Sequence, residues 1–283
     1  MYNENMEPKL INLDEWIVAG GGAVGENYFH KSDNSIVLKL SNPKISKERS
    51  LSEYETSKLA YELGIKCPKV YDFVSYENRF GMTFERILNK KSFAKAMSED
   101  PSKVEFFAEW FAREAKEFHS FKGDSRLPSF VDKFHFLVEN TKEFLSEKCR
   151  NRILKIIDDT PVEDHILHGD FHMGNCIFAD DKFYWIDLGD LCVGNPIFDL
   201  GFLYFSSYYG NDDFIKSLYH MERSDIKKFF LHFVKMYYPN MSQEEAVMKI
   251  KPYACLAAVL YINFGHRLGP DLADCIKDVV GII

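Results

Sequence analysis

The first ninety residues read as strands arranged around one helix. Residues 16–19, WIVA, are apolar and β-rich and run into a glycine cluster, GGGAVG, at 20–25. Two further β-rich runs, 27–31 and 36–40, are joined by Ser32-Asp33-Asn34-Ser35, a composition that turns the chain sharply and predicts a hairpin. From about Ser50 to Leu63 the period becomes that of an amphipathic helix, with Leu51, Glu55, Leu59 and Leu63 on one stripe and Gly64 suited to its C-terminal end. Pro68 opens an extended segment, 69–75, and a turn near Glu77-Asn78 leads into a last strand, 79–87. Beyond Ile87 the helical period dominates, over roughly 101–121, 130–147, 212–222, 225–238 and 243–263. One β-rich island, 166–190, interrupts it, where CIFA and FYWID flank a turn at Asp180-Asp181-Lys182. The pattern predicts an α+β chain: a small β-rich lobe over 1–87 and a larger, mainly helical lobe over 88–283 that contains the island.

With 46% apolar residues in 283, the chain has enough apolar surface to offset its conformational entropy. A formal charge of −8 argues against a nucleic-acid or anionic-membrane partner, either of which calls for a basic field. Most of that charge falls late: residues 1–88 carry 13 acidic and 11 basic side chains, the remainder 30 and 24. The acidic larger lobe favours a cationic small-molecule partner through steering. Six cysteines without a CxxC pair point to reduced thiols and a cytoplasmic chain. The polar start, MYNENMEPKL, lacks the basic-then-apolar order of a signal peptide. CLAAVLYINF, at 255–264, is about half the ~20 residues that a membrane-spanning helix needs.

The glycines Gly20, Gly22 and Gly25 fit G-x-G-x-x-G. Glycine lets backbone N–H groups approach phosphates closely, although an ordinary glycine-rich turn has the same composition. Here a β-rich run rather than a helix follows, which favours a flap over phosphates rather than a dinucleotide site. Lys39, in IVLKL, is either a solvated strand lysine or a phosphate-binding one held by a carboxylate, for which Glu53 and Glu55 on the next helix are the candidates. The most specific segment is HGDFHMGN (168–175) followed by WIDLGD (185–190). Phosphoryl transfer needs a carboxylate to orient an attacking hydroxyl and oxygen ligands for Mg²⁺. Asp170, Asn175 and Asp187 supply both. His165, His168 and His172 have a spacing that a metal site can use, but Gly169 and Gly174 interrupt any helix there and no HExxH is present. His168 is expected to hold the loop's shape, and His172 to do the same or to touch substrate. Asp199 either caps the helix that follows or accepts backbone N–H groups of the catalytic loop. Trp110, Tyr204, Tyr208 and Tyr209 are either core residues or the lining of an amine pocket.

HGDFHMGN, WIDLGD with the following GNPIFDL, Lys39, the segment 52–73 and EFHS (117–120) together resemble the aminoglycoside phosphotransferase / choline kinase family, the small-molecule branch of the protein-kinase-like fold. The likeness spans 16 to about 205. It implies a bilobal kinase-like fold, ATP and Mg²⁺, Asp170 as the catalytic base, and Asn175 and Asp187 as metal ligands. It implies that Lys39 holds the α/β-phosphates, and counting back from Pro68 selects Glu53 as its partner. FERI then resembles the hinge, with the backbone of Glu85 and Ile87 reading the adenine edge. Gly169 before Asp170, Leu188-Gly189 after Asp187 and the lack of an APE-like segment depart from protein kinases and imply a small hydroxylated acceptor. Acceptors in such families include aminoglycosides, choline, ethanolamine, thiamine, homoserine and methylthioribose. The alternative is a catalytically silent nucleotide-binding module on the same fold.

Overall fold

The computed structural model describes residues 6–21, 25–265 and 267–283. In chain order the strands and helices are β1 (Lys9–Leu10), β2 (Trp16–Gly21), β3 (Gly25–His30), β4 (Ile36–Ser41), α1 (Lys47–Glu62), β5 (Val70–Tyr76), β6 (Arg79–Glu85) and β7 (Lys91–Ser92). Then come α2 (Phe93–Glu99), α3 (Val104–Phe118), α4 (Phe130–Glu139), α5 (Glu147–Asp158), β8 (His165–Leu167), β9 (Cys176–Ala179), β10 (Lys182–Trp185) and β11 (Cys192–Gly194). The chain closes with α6 (Ile197–Tyr208), α7 (Asp212–Tyr219), α8 (Arg223–Tyr237), α9 (Gln243–Ile250), α10 (Ala254–Gly265) and α11 (Pro270–Val280).

Two compact units result. One joins Met1–Lys91 to Cys176–Asp190, and the other joins Ser92–Asn175 to Leu191–Ile283. A single boundary at 87/88 therefore misplaces one piece: the hairpin 176–190 belongs with the β-rich unit rather than the helical one.

The first unit is built on a six-stranded sheet in the order β1-β5-β6-β4-β3-β2, antiparallel except for β1 against β5. The β3–β4 hairpin falls where Asp33 and Ser35 turn the chain, with the Asp33 carboxylate accepting the Ser35 N–H at 2.9 Å. Helix α1 starts earlier than its periodicity suggests, because Ser46 caps it by accepting the Arg49 N–H. Its buried face carries Leu51, Tyr54 and Leu59, and Leu51 and Tyr54 pack on Val70, Phe73 and Met82. Glu55 and Leu63, expected on that face, are only half-buried. In the β9–β10 hairpin, Asp180 and Asp181 both take positive φ (48° and 63°), as a two-residue turn matching strand twist requires.

In the second unit aromatic rings dominate the packing. Phe111 on α3 meets Phe171, Phe229 and Phe233 at centroid distances of 5.1, 5.5 and 5.6 Å. Phe130 stacks on Phe134 and Phe198 at 4.2 Å each. The helix expected over 130–147 is shorter than that, and a further helix that was not expected begins where it should have ended. Helix α4 ends at Glu139, and Ser146 restarts the chain as α5 by accepting the Cys149 N–H. The buried residues of α5 are Cys149, Ile153 and Ile157, one per turn. The run over 243–263 also breaks, at a 3₁₀ turn, Lys251–Tyr253, containing Pro252, which lacks a donor for the preceding turn. The whole stretch Gln243–Gly265 is long and apolar enough to cross a membrane, but half of its most apolar window is buried within the protein. Ala254 through Leu260 are core residues.

Candidate active site

In the first unit the site is organised around Lys39. Strand β4 buries Val37, Leu38 and Leu40 and leaves the Lys39 side chain 16% exposed. Its Nζ lies 2.7 Å from Glu53 Oε1 on α1 and 2.7 Å from Asp187 Oδ1 just after β10. Burial alone pulls an ammonium down. Here the Asp187 and Glu53 carboxylates outweigh it and hold Lys39 above its usual value, so the side chain stays charged. Of the two candidate carboxylates on α1, Glu53 is the one that meets Lys39.

Three features hold this triangle in place, two of which the pattern of residues did not single out. Gly81 on β6 pairs beside Lys39, and a Cβ there would lie 1.9 Å from the Lys39 carbonyl oxygen. A Cβ at Gly189 would lie 2.7 Å from Glu53 Cγ, so glycine there is what lets the glutamate reach inward. Arg49 donates from Nη2 to both carboxylate oxygens of Asp190 at 3.2 Å each, tying the start of α1 to the segment that carries Asp187. Asp187 itself has φ +57°, an uncommon conformation for aspartate that turns the carboxylate toward the lysine.

A cavity of about 380 Å³ opens over this triangle. Val37, Val70, Met82, Phe84 and Leu188 form an apolar slot that suits a planar base, and Lys39, Glu53 and Asp187 form its charged side. Gly20 lines it as well, on a strand irregularity between Val18 and Gly20. Gly25 does not: its missing Cβ makes room for the Leu40 carbonyl, 2.4 Å from where that carbon would be, so it serves strand packing. Gly22 lies outside the described residues. Glu85 and Ile87 flank the cavity in sequence but are not among its lining residues. The Lys69 N–H goes to the Glu85 carboxylate at 3.2 Å, while the Glu85 N–H donates to the Lys69 carbonyl at 2.8 Å. Lys90, which sequence reasoning missed, also lines the cavity, and burial pulls its ammonium below the ordinary value. Cys67 lines it with a thiol pushed up to about 12 by burial.

In the second unit, β8 pairs with β11 and delivers the chain into the loop 168–175. Asp199 fixes that loop. Its Oδ2 accepts the His168 N–H at 2.7 Å and its Oδ1 the Gly169 N–H at 3.0 Å, and it is fully buried. Of its two sequence readings, the loop anchor is the one the geometry supports, since Pro196 occupies the cap position of α6. His119 Nε2 sits 3.1 Å from the same carboxylate, and His119 Nδ1 is 2.8 Å from the Tyr237 hydroxyl. EFHS thus contributes its histidine from beneath the loop. Gly169 takes φ +78°, which suits glycine at the turn before Asp170. Asn175 donates from Nδ2 to the Asp170 carbonyl at 2.9 Å and to Asp170 Oδ2 at 3.2 Å.

Burial pushes the Asp170 carboxyl up, but His172, His168 and the Asn175 amide outweigh it and leave the group well below the usual carboxylate range. Asp170 is therefore an anion at neutral pH. The Asn175 NH₂ is spent on Asp170, which turns its amide oxygen the other way. An amide oxygen is a hard donor of the kind that suits Mg²⁺, as is, within the first unit, the half-exposed Asp187 carboxylate. The aromatic candidates divide. Trp110 and Tyr204 are core residues, whereas Tyr208 and Tyr209 line a separate cavity of about 410 Å³ with Asp212, Asp213, Asp271 and Asp274.

A family model described as the phosphotransferase enzyme family matches residues 15–222, well over half of the chain. The chain belongs to that family. No curated protein matches it. Among solved structures, the phosphotransferase resembles a thermostable mutant of aminoglycoside phosphotransferase APH(4)-Ia, with TM-score 0.63 and 12% identity over 94% of each chain. It also resembles the amicoumacin kinase hAmiN in complex with AMP-PNP, Ca²⁺ and Ami, with TM-score 0.63 and 13% identity over 97% of this chain and 90% of the other. A third is the streptomycin–ATP complex of APH(2")-IIa, with TM-score 0.58 and 20% identity over 94% and 91%. At these identities the likeness establishes the fold: α+β and protein-kinase-like, with a β-sheet N-terminal region and a helical C-terminal one.

Proposed function

We propose that this phosphotransferase moves the γ-phosphate of ATP to a hydroxyl of a small-molecule acceptor, with Mg²⁺, and that Asp170 is its catalytic base. The observation that carries the reading is the placement of one buried lysine on two carboxylates, Glu53 and Asp187, at 2.7 Å each. An ammonium has three N–H donors, so two such bonds leave a third for a phosphate oxygen. The first unit is assigned nucleotide binding: the apolar slot takes the base, Gly20 borders the phosphates, and Glu85 and Ile87 are assigned the adenine edge. Asn175 and Asp187 are assigned as the metal's ligands, and Mg²⁺ when bound neutralises charge on the phosphate oxygens.

Acceptor activation is assigned to the second unit. Asp170 accepts a hydrogen bond from the acceptor hydroxyl and orients its oxygen for in-line attack. A carboxylate held this acidic takes up a proton only late, which fits a loose transition state that asks the protein for positioning more than for base strength. The net negative charge favours a cationic acceptor.

The test is an ATP-consumption screen across aminoglycosides, choline, ethanolamine, thiamine and sugars, repeated with Asp170→Ala. Turnover on at least one acceptor, lost by about 10²-fold or more in the variant, is the expected result. Retention within about tenfold overturns the role of Asp170. A thermal shift with AMP-PNP and Mg²⁺ but no turnover across the panel favours the silent module.

A further inference from the structure

His172 lies two residues beyond Asp170 with its ring 10% exposed. Its Nδ1 accepts the Gly174 N–H at 3.0 Å. A nitrogen that accepts a hydrogen bond carries no proton, so the neutral ring bears its N–H at Nε2. That atom faces Asp170 Oδ2 at 3.6 Å, slightly longer than a formed hydrogen bond. Two walls keep the ring there. Tyr219 meets it edge to face at 5.7 Å, and a Cβ at Gly174 would lie 2.8 Å from its Cε1 and 2.9 Å from its Nδ1. The Asn175 amide approaches the same Asp170 oxygen, Oδ2, at 3.2 Å. Both donors thus address one oxygen of the carboxylate.

We propose that His172 is a positioning residue for phosphoryl transfer: its ring, locked by the Gly174 N–H, aims Nε2 at Asp170 Oδ2 and so presents Oδ1 to the acceptor hydroxyl. The inference rests on the reading of Asp170 given above. His172 itself touches neither nucleotide nor acceptor in this role. Its loss lets the carboxylate rotate about its last bond, so fewer encounters find Oδ1 aligned, while the nucleotide slot in the first unit is untouched.

The experiment compares the full chain with Asp170→Ala, His172→Leu, His172→Gln and Gly174→Ala, using Mg-ATP and the acceptor of highest turnover in the panel. Melting temperatures are recorded alongside. The expected result is a kcat about 30-fold lower in His172→Leu, KM for ATP within about threefold, and recovery to within about fivefold of wild type in His172→Gln, whose amide restores an N–H donor. Gly174→Ala, which keeps the imidazole but crowds it, is expected to lose about tenfold in kcat. If Asp170→Ala is inactive while folded His172→Leu keeps kcat within threefold, the inference is overturned and the reading of Asp170 stands. Equal loss in the Leu and Gln variants, or a change confined to KM, also overturns it. If His172→Leu does not fold, unchanged kcat in Gly174→Ala overturns it. Activity in Asp170→Ala, or no turnover with any acceptor, overturns the underlying reading instead.

Discussion

Lys39 shows how much one side chain carries. Replacing it with Met leaves Glu53, 19% exposed, facing Asp187 with no cation between them. Breaking such a pair from one side costs about 1–3 kcal/mol where one partner still reaches solvent. Steady-state kinetics of Lys39→Met are expected to show kcat/KM for ATP lower by about 10²-fold or more, in line with the loss of one placed donor. A second residue-scale outcome concerns acid. Arg126 clamps Asp124 through its backbone N–H at 2.9 Å and two guanidinium bonds at 2.8 Å, which hold the carboxyl down to about 2. A carboxyl lowered on folding stabilises the protein above its unfolded value, near 4, and that contribution fades as pH falls toward 2. Melting curves of wild type and Asp124→Asn are therefore expected to differ at pH 5 and to converge below pH 3. The candidate residues Asp170, Asn175 and Asp187 stand out in the sequence by type and spacing. Arg49, Gly81 and Lys90 do not, because an absent Cβ or a surface-type cation carries no signal until a neighbour from a distant stretch of chain is known.

At the scale of elements, the sheet and its hairpins were readable wherever Asp, Asn, Ser and Gly punctuate apolar runs. Helix α5 was not read, although Cys149, Ile153 and Ile157 recur at helical spacing, because the preceding run was carried on to 147 and hid the restart at Ser146. The break at Pro252 and the end of α4 near Asn140 were run through because periodicity continues across them. Two glycines separate strand packing from site geometry. Gly81→Ala drives a methyl against a rigid backbone carbonyl of β4 and is expected to cost about 2–4 kcal/mol in chemical denaturation. Gly189→Ala meets only the Glu53 side chain, which can swing aside. Its stability is expected to stay within about 1 kcal/mol of wild type, while calorimetry with AMP-PNP and Mg²⁺ shows weaker binding as Glu53 leaves Lys39.

At the scale of the whole chain, the two-part division was visible in the change of period near residue 88, but its discontinuity was not. A sequence read left to right assigns the 176–190 hairpin to its neighbours. The contacts that claim it, such as the Trp185 N–H on the Lys66 carbonyl at 2.7 Å, join residues more than a hundred positions apart. A fragment of residues 1–91 holds Lys39 and Glu53 but lacks Asp187, Leu188 and Trp185 from its cavity wall. Calorimetry is expected to find no binding of AMP-PNP and Mg²⁺ to that fragment, and tight binding by the same fragment would contradict the assignment of Asp187.

The same discontinuity sets a timetable at the ribosome. All six strands of the large sheet have been synthesised by residue 85, yet the hairpin that completes the pocket wall ends only at Asp190. At translation speeds of about 5–20 residues per second, the nascent sheet waits roughly 5–20 s for that piece. Over that interval the apolar slot stands open to chaperones, and its wall is complete only after Ser92–Asn175, a little under half of the helical unit, has been made.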